Sequence, residues 1–166
     1  LEWDVPPDKA VEELRSLMEI INPDLFRAKK RCIVNPRFAS PIILADADLL
    51  IDDRLIDIKV VKSPYQDRQH WDQLFGYYAL HRSCGIAGLN RNVRIRGLGI
   101  YSARYASYQQ VDLVGEQLVR AERLSEWINA RIEKIAEKWR TNGVRINERT
   151  RRRAQSVSPS TLMRRV

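Results

Sequence analysis

A hairpin signature in the middle of the chain constrains its fold more than any other feature. Residues 43–61 read ILADADLLIDDRLIDIKVV, in which apolar and polar residues alternate over much of the length. A period of two, together with many Ile, Leu and Val residues, is typical of β-strands. Asp52 and Asp53 interrupt the alternation, and acidic residues are common in two-residue turns. The stretch therefore predicts two antiparallel strands joined at Asp52-Asp53.

The turn length decides which residues of the two strands oppose each other. A two-residue turn places Asp48 opposite Asp57 and Asp46 opposite Lys59. The same register pairs Ile51 with Arg54, Leu50 with Leu55 and Leu49 with Ile56. Because side chains alternate between the two faces of a strand, the three aspartates and the lysine share one face. The other face is predicted to be the core face, formed by Ala47, Leu49, Ile51, Ile56, Ile58 and Val60.

The polar face of this hairpin carries side chains that suit a divalent cation. Directly opposed residues have Cβ atoms roughly 4.5–5.5 Å apart, so the carboxylates of Asp48 and Asp57 would repel each other. Mg²⁺ or Mn²⁺ converts that repulsion into attraction, because carboxylate oxygens are preferred ligands of hard cations. Lys59 could orient or deprotonate a water, or neutralise charge on a phosphate. Taken alone, the pattern is equally typical of an ordinary hairpin with a solvated polar face.

Periodicity and turn residues predict the remaining elements. Helices are expected at residues 8–21, 66–82 and 111–140, and strands at residues 32–34 and 93–104. Helices and strands that alternate in this way are typical of an α/β fold. The prediction is a mixed sheet flanked by helices, with a long C-terminal helix.

The hairpin also resembles a known family of nucleases. An aspartate on one strand, Asp48, is followed on the next strand by Asp57-Ile58-Lys59. This arrangement is similar to the core motif of the PD-(D/E)xK nuclease superfamily, although Ala47 stands where the family name has proline. The order of predicted elements over residues 8–105 resembles the restriction-endonuclease-like αβββαβ core of that family.

A second motif lies on the predicted helix at residues 66–82. Gln73 and Tyr77 match the QxxxY motif of the RecB-like and Cas4-like branch of the superfamily. Positions i and i+4 share a helix face, so both side chains fall on one polar stripe with Gln66 and His70. The neighbouring apolar stripe, which is expected to pack on the hairpin, contains Trp71, Leu74, Phe75 and Tyr78.

The resemblance implies a DNA-hydrolysing enzyme, a Mg²⁺- or Mn²⁺-dependent deoxyribonuclease with a role in DNA processing or repair. Metal ligands would be Asp48, Asp57 and the backbone carbonyl of Ile58. Lys59 would position or activate the water, with Gln73 and Tyr77 supporting the site. The family often adds an acid from the first helix, where Glu12, Glu13 and Glu19 are available; Glu13 is our choice because it lies nearest the flank of the apolar face. RNA is also an admissible substrate.

Other cofactors are not expected. Cys32 and Cys84 are the two cysteines, which is too few for the iron–sulfur cluster of Cas4-like proteins. The chain has no GxxxxGK[ST] loop, so ATP use is not predicted. His70 and His81 lack a third zinc ligand. The low cysteine content and the absence of a signal-peptide pattern predict a cytoplasmic protein, and no apolar run is long enough for a membrane span.

Basic charge is concentrated at the C-terminal end. The net charge is +8, but residues 141–166 contain seven arginines and one glutamate, a net charge of +6. We therefore divide the chain into a nuclease-like domain, residues 1–140, and a basic, flexible tail, residues 141–166. Basic tails often contact nucleic acid, and the residues expected to do so are Arg149, Arg151, Arg152 and Arg153.

Two alternatives come from other functional classes. The first is a nucleic-acid-binding module that keeps the fold but does not cleave. The second is a structural subunit whose long C-terminal helix pairs with a partner. The oligomeric state is not specified by the sequence.

Overall fold

A five-stranded mixed sheet organises the chain. The computed structural model describes residues 8–40, 42–62, 68–90 and 93–141. Its helices are α1 (Asp8–Glu19), α2 (Arg68–Cys84) and α3 (Gly115–Thr141), with 3-10 turns at Pro23–Phe26 and Ala103–Tyr105. Its strands are β1 (Cys32–Val34), β2 (Leu49–Ile51), β3 (Arg54–Lys59), β4 (Gly97–Ser102) and β5 (Ser107–Asp112). The strands lie side by side in sequence order, and the described fold is α/β, as predicted.

The central hairpin has the predicted register. Ile51 pairs with Arg54, Leu50 with Leu55 and Leu49 with Ile56. Asp52 adopts a left-handed backbone conformation in the turn, with φ at 55°. Its carboxylate accepts the backbone N–H groups of Lys29, Lys30 and Arg31 at 3.1, 2.7 and 3.1 Å. These hydrogen bonds, that from Lys29 foremost, hold the pKa of Asp52 below its usual value and tie the turn to the segment before β1.

Both faces of the sheet are buried, so the prediction of one polar face and one core face was wrong. The first core contains Leu50 and Leu55, which share a sheet face with Asp57, and it packs against Leu74 and Tyr78 of α2. The second core lies on the opposite face and contains Ile51, Ile56 and Tyr101, with Ile21, Leu25 and Phe26 packed against it. Three residues expected on the core face behave differently: Ala47 joins the first core, whereas Ile58 and Val60 are exposed.

The C-terminal half contains a strand that the sequence analysis missed. The predicted strand at 93–104 is regular only over β4, and residues 107–112 form β5. Val111 and Asp112 therefore belong to a strand, and the helix predicted from residue 111 begins at Gly115. β5 pairs antiparallel with β4 at the side of the sheet. Its sequence, SYQQVD, is largely polar, and none of its six side chains is buried: three are exposed and three are half-buried.

The parallel pairing of β3 and β4 gives the sheet two distinct ends. Lys59 pairs with Ser102 at the carboxyl end of this parallel pair, and Arg54 pairs with Gly97 at its amino end. Helix α2 connects the two strands, so it starts near the carboxyl end and finishes near the amino end. Tyr78, late in α2, donates a hydrogen bond to Glu122, early in α3, at 2.9 Å. Helices α2 and α3 therefore pack against each other. No helix among the described residues is both long and apolar enough to cross a membrane.

Two glycines provide a matched test of packing on the sheet. A Cβ at Gly99 would overlap the Tyr108 ring, lying 2.6 Å from Cε2. A Cβ at Gly76, inside α2, would meet no atom within 4 Å. We expect Gly99→Ala to lower the free energy of unfolding by about 1–3 kcal/mol because of overpacking.

Gly76→Ala serves as the control for that substitution. Alanine has a higher helix propensity than glycine, so the free energy of unfolding of the Gly76→Ala variant should rise by up to about 1 kcal/mol. Urea unfolding of both variants measures the two effects. Equal stability of Gly99→Ala and the parent protein would contradict the placement of Tyr108 across β4.

Candidate active site

The candidate site is built at the carboxyl end of the parallel pair. Asp57 and Lys59 are two residues apart on β3, so their side chains share a face of the sheet. Lys59 Nζ lies 2.7 Å from Asp57 Oδ2. Asp57 is only 4% exposed. Burial raises the pKa of the Asp57 carboxyl, while the adjacent ammonium group of Lys59 acts in the opposite direction.

Asp48, the residue just before β2, brings a second carboxylate to this site. Its Oδ2 accepts the backbone N–H of Ile58 at 2.6 Å, so its side chain reaches across to β3. The negative charge of Asp48 contributes to the raised pKa of Asp57, which indicates that the two carboxylates interact. The predicted strand extension to Asp46 is wrong, because β2 begins at Leu49 and Asp46 forms an isolated bridge with Arg37.

Helix α2 contributes both residues of the QxxxY motif. Gln73 Oε1 accepts a hydrogen bond from Lys59 Nζ at 2.9 Å, and Gln73 Nε2 donates to the hydroxyl of Tyr77. Leu74 and Tyr78 are buried, and Trp71 and Phe75 pack against the same core. The apolar stripe thus seats α2 on the sheet while Gln73 faces the candidate site.

Phe38 supports the site and was missed in the sequence analysis. Its ring stacks on Tyr77 with centroids 5.4 Å apart, and it is 3% exposed. Burial raises the pKa of Tyr77, with further contributions from the negative charges of Asp57 and Asp46. Phe38 lies in an irregular segment that no local pattern connects with α2. The contact depends on the tertiary fold.

The two histidines occupy different surroundings. The charge of His70 lowers the pKa of Asp57, so His70 belongs to the neighbourhood of the candidate site. His81 is buried, and its Nε2 lies 2.8 Å from the carbonyl oxygen of Val93. Burial lowers the pKa of His81, which favours a neutral ring that donates through Nε2.

The remaining predicted residues are not brought into this cluster. Glu13 is exposed on α1. Within the ranges that the structure describes, no three or more His, Cys, Asp or Glu side chains form a group that could hold a metal ion. Glu13 therefore does not join the two aspartates there. Gln66 and the arginines assigned to nucleic-acid contact lie outside the described residues: Arg149, Arg151, Arg152 and Arg153.

The donor atoms at the site fit a hard divalent cation. Asp48 and Asp57 supply carboxylate oxygens, the ligand type preferred by Mg²⁺ and Mn²⁺. Asp57 Oδ2 is buried without a well-directed hydrogen bond, although Lys59 Nζ is close enough to form an ion pair. A buried carboxylate oxygen in this state favours an additional cationic partner.

Comparison with known proteins gives no match for this chain. No protein-family model, curated protein or solved structure is significantly similar to it. The candidate function therefore rests on the sequence motifs and on the contacts among Asp48, Asp57, Lys59 and Gln73.

The raised pKa of Asp57 predicts that Asp57→Asn stabilises the protein. Burial places the folded-state pKa above the unfolded value of about 3.9, so ionisation of this carboxyl costs stability in the folded state. The cost is absent below the unfolded pKa, and it is complete once the pH has risen through the folded pKa. Asparagine removes the charge and retains an acceptor oxygen for Lys59.

Urea unfolding from pH 3 to pH 8 measures the effect. The free energy of unfolding of Asp57→Asn should exceed that of the parent at pH 7, and the difference should shrink towards pH 3. Asp72→Asn, at an exposed position on α2, is the control and should show little difference at any pH. A less stable Asp57→Asn variant at pH 7 would contradict this account of the site.

Proposed function

We propose that this protein is a Mg²⁺- or Mn²⁺-dependent nuclease that hydrolyses DNA phosphodiester bonds. The observation that carries the proposal is the position of the Lys59 ammonium, 2.7 Å from Asp57 and 2.9 Å from Gln73. This contact joins the DxK motif on β3 to the QxxxY motif on α2, two motifs that are 14 residues apart. An incidental DxK triplet has no reason to contact the glutamine of the second motif.

The order of elements supports the same proposal. From α1 to β4, the described elements follow the order α, β, β, β, α, β, with the 3-10 turn after α1. The restriction-endonuclease-like fold that we propose has this αβββαβ core. β5 and α3 then follow as additions to it.

The proposed metal ligands are Asp48, Asp57 and the backbone carbonyl of Ile58. A bound cation would polarise the phosphodiester and favour ionisation of a water molecule. Asp48 also accepts the Ile58 N–H, so this carboxylate is oriented before any ligand binds. Glu13, exposed on α1, is not part of the proposed ligand set.

Lys59 is proposed to position the attacking water or to stabilise negative charge that develops on the phosphate. Asp57 and Gln73 hold its ammonium group, and Tyr77 in turn receives a hydrogen bond from Gln73. Stacking on Phe38 restricts the Tyr77 ring. An ammonium group fixed in this way is preorganised for electrostatic stabilisation, which is often the largest single contribution to catalysis.

The substrate proposal is DNA, with RNA as a second polymer to be tested. The tail at residues 141–166, which carries a net charge of +6, is proposed to contact the phosphate backbone. Arg149, Arg151, Arg152 and Arg153 are its candidate contacts.

Single-turnover cleavage tests the proposed activity. The parent protein should cleave labelled single- or double-stranded DNA with Mg²⁺ or Mn²⁺ and should be inactive with chelator. Lys59→Met retains most of the apolar stem, and it should lower the cleavage rate by about 10²–10³-fold, as expected when one electrostatic stabiliser is lost. DNA affinity should change little.

Lys134→Met, on the exposed surface of α3, is the matched control and should cleave at the parental rate. RNA is assayed in parallel under the same metal conditions. A parent protein that binds these polymers but cleaves none of them would overturn the nuclease proposal in favour of a nucleic-acid-binding module.

Calorimetric titration with Mn²⁺ tests the proposed ligands separately from activity. Binding should be detectable in the parent and lost in the Asp48→Ala, Asp57→Ala double variant. Glu13→Gln is the control and should bind as the parent does. Equal Mn²⁺ binding by the parent and the double variant would remove the two aspartates from the metal site.

A further inference from the structure

A groove opens at the amino end of the parallel pair, opposite the candidate active site. It lies between the end of α2, the segment leading into β4 and the start of α3. Its volume is about 680 Å³, within the roughly 300–1,000 Å³ range of small-ligand pockets. Six residues of β3 and β4 separate the two ends, which at strand spacing is roughly 20 Å. The groove is therefore distinct from the cluster around Lys59.

The groove combines an apolar floor with basic side chains. The floor includes Ile95 and Leu113, which are buried, and Leu118, which is 37% exposed. Three arginines also line the groove: Arg82, Arg94 and Arg96. We call this feature the arginine groove. A lining of this kind suits a ligand that has both an apolar ring and a negative charge.

The segment that carries two of the arginines is held in place by hydrogen bonds. At its start, the Val93 carbonyl contacts His81 Nε2 at 2.8 Å. At its end, the Arg96 N–H donates to the Asp53 carbonyl at 2.7 Å, and the Arg96 carbonyl accepts the Leu113 N–H at 2.8 Å. Residues 93–96 are thus anchored by hydrogen bonds at both ends without belonging to a helix or strand. A preformed backbone reduces the entropy that ligand binding would otherwise cost.

The charges in the groove leave a net positive lining. Its carboxylate, Glu122, already accepts a hydrogen bond from Tyr78 at 2.9 Å and lies 3.1 Å from Arg82. Among the residues that the structure describes, Arg96 forms one long ion pair, with Asp53 at 3.9 Å, and its side chain is 69% exposed. Arg94 is also exposed. Arg94 and Arg96 are therefore the guanidinium groups best placed to bind a phosphate, which arginine contacts through two parallel N–H donors.

We propose that the arginine groove binds a nucleoside phosphate, with the phosphate on Arg94 and Arg96 and the base over the apolar floor. The ligand is either a free nucleotide or one unit of a nucleic-acid strand, since both present a base and a phosphate. The proposal does not depend on nuclease activity, because it uses no residue of the candidate active site.

Calorimetric titration of the full chain with adenosine 5′-monophosphate tests the groove. The Arg94→Ala, Arg96→Ala double variant should bind at least tenfold more weakly than the parent. Arg131→Ala, which removes an arginine that lies over Trp127 on α3, is the control and should bind within twofold of the parent. Ribose 5-phosphate should bind more weakly than the nucleotide, because it lacks the base that would cover the apolar floor.

A 12-nucleotide oligothymidylate distinguishes the two sources of the ligand, a free nucleotide and a nucleic-acid strand. Weaker oligonucleotide binding by the double variant than by Arg131→Ala identifies a strand-binding groove, even if the mononucleotide alone does not bind. Mononucleotide binding that depends on the arginines, with unchanged oligonucleotide binding, identifies a nucleotide site.

Thermal unfolding of the variants and the single variant Arg94→Ala distinguish a loss of binding from a folding defect. Arg94 has an exposed side chain, so its replacement should leave the melting temperature unchanged while weakening binding. If the groove variants bind both probes as the parent does, the proposal is overturned. Binding of neither probe by the parent overturns it as well.

Discussion

The buried ion pair between Asp57 and Lys59 is the interaction on which the candidate site depends. Removing a carboxylate from water is costly, and a buried charge is tolerated only when it is paired. Asp57 is almost fully enclosed by the sheet and α2, and Lys59 supplies its cation at 2.7 Å. The lysine in turn requires the acceptor oxygen of Gln73. The three residues therefore form one connected set of polar contacts between β3 and α2. Such an arrangement lowers stability in exchange for a preorganised site.

The sequence predicted the hairpin correctly because two local rules agreed there. The period of two defined the strands and the acidic turn fixed their register, so each pairing from Leu49 to Arg54 was confirmed. The assignment of faces failed because periodicity shows which residues share a face but not what covers it. Here α2 covers one face, and residues around Phe26 cover the other. As a result, Leu50 is a core residue although it lies on the same side of the sheet as Asp57.

Features that depend on distant residues could not be predicted in the same way. The QxxxY spacing placed Gln73 and Tyr77 on one helix face, but only the fold brings Gln73 to Lys59 and Phe38 to Tyr77. Strand β5 was missed because its polar sequence lacks a clear alternation. Gly99 allows β5 to pack beside β4, because its lack of a side chain leaves room for the Tyr108 ring to lie across β4. Packing of Tyr108 on Gly99 thus adds to the backbone pairing that joins β5 to β4.

The two ends of the parallel pair differ in their electrostatics, and this difference has a consequence for a phosphate ligand. At the carboxyl end, two interacting aspartates face one lysine that is already paired, so a phosphate would meet net negative charge. A divalent cation would have to reverse that charge before a phosphodiester could approach closely. At the amino end, the arginines outnumber the carboxylates that line the groove, so a phosphate would be attracted without a metal. Phosphate binding at the candidate active site would therefore require a divalent cation, whereas phosphate binding in the arginine groove would require only the protein.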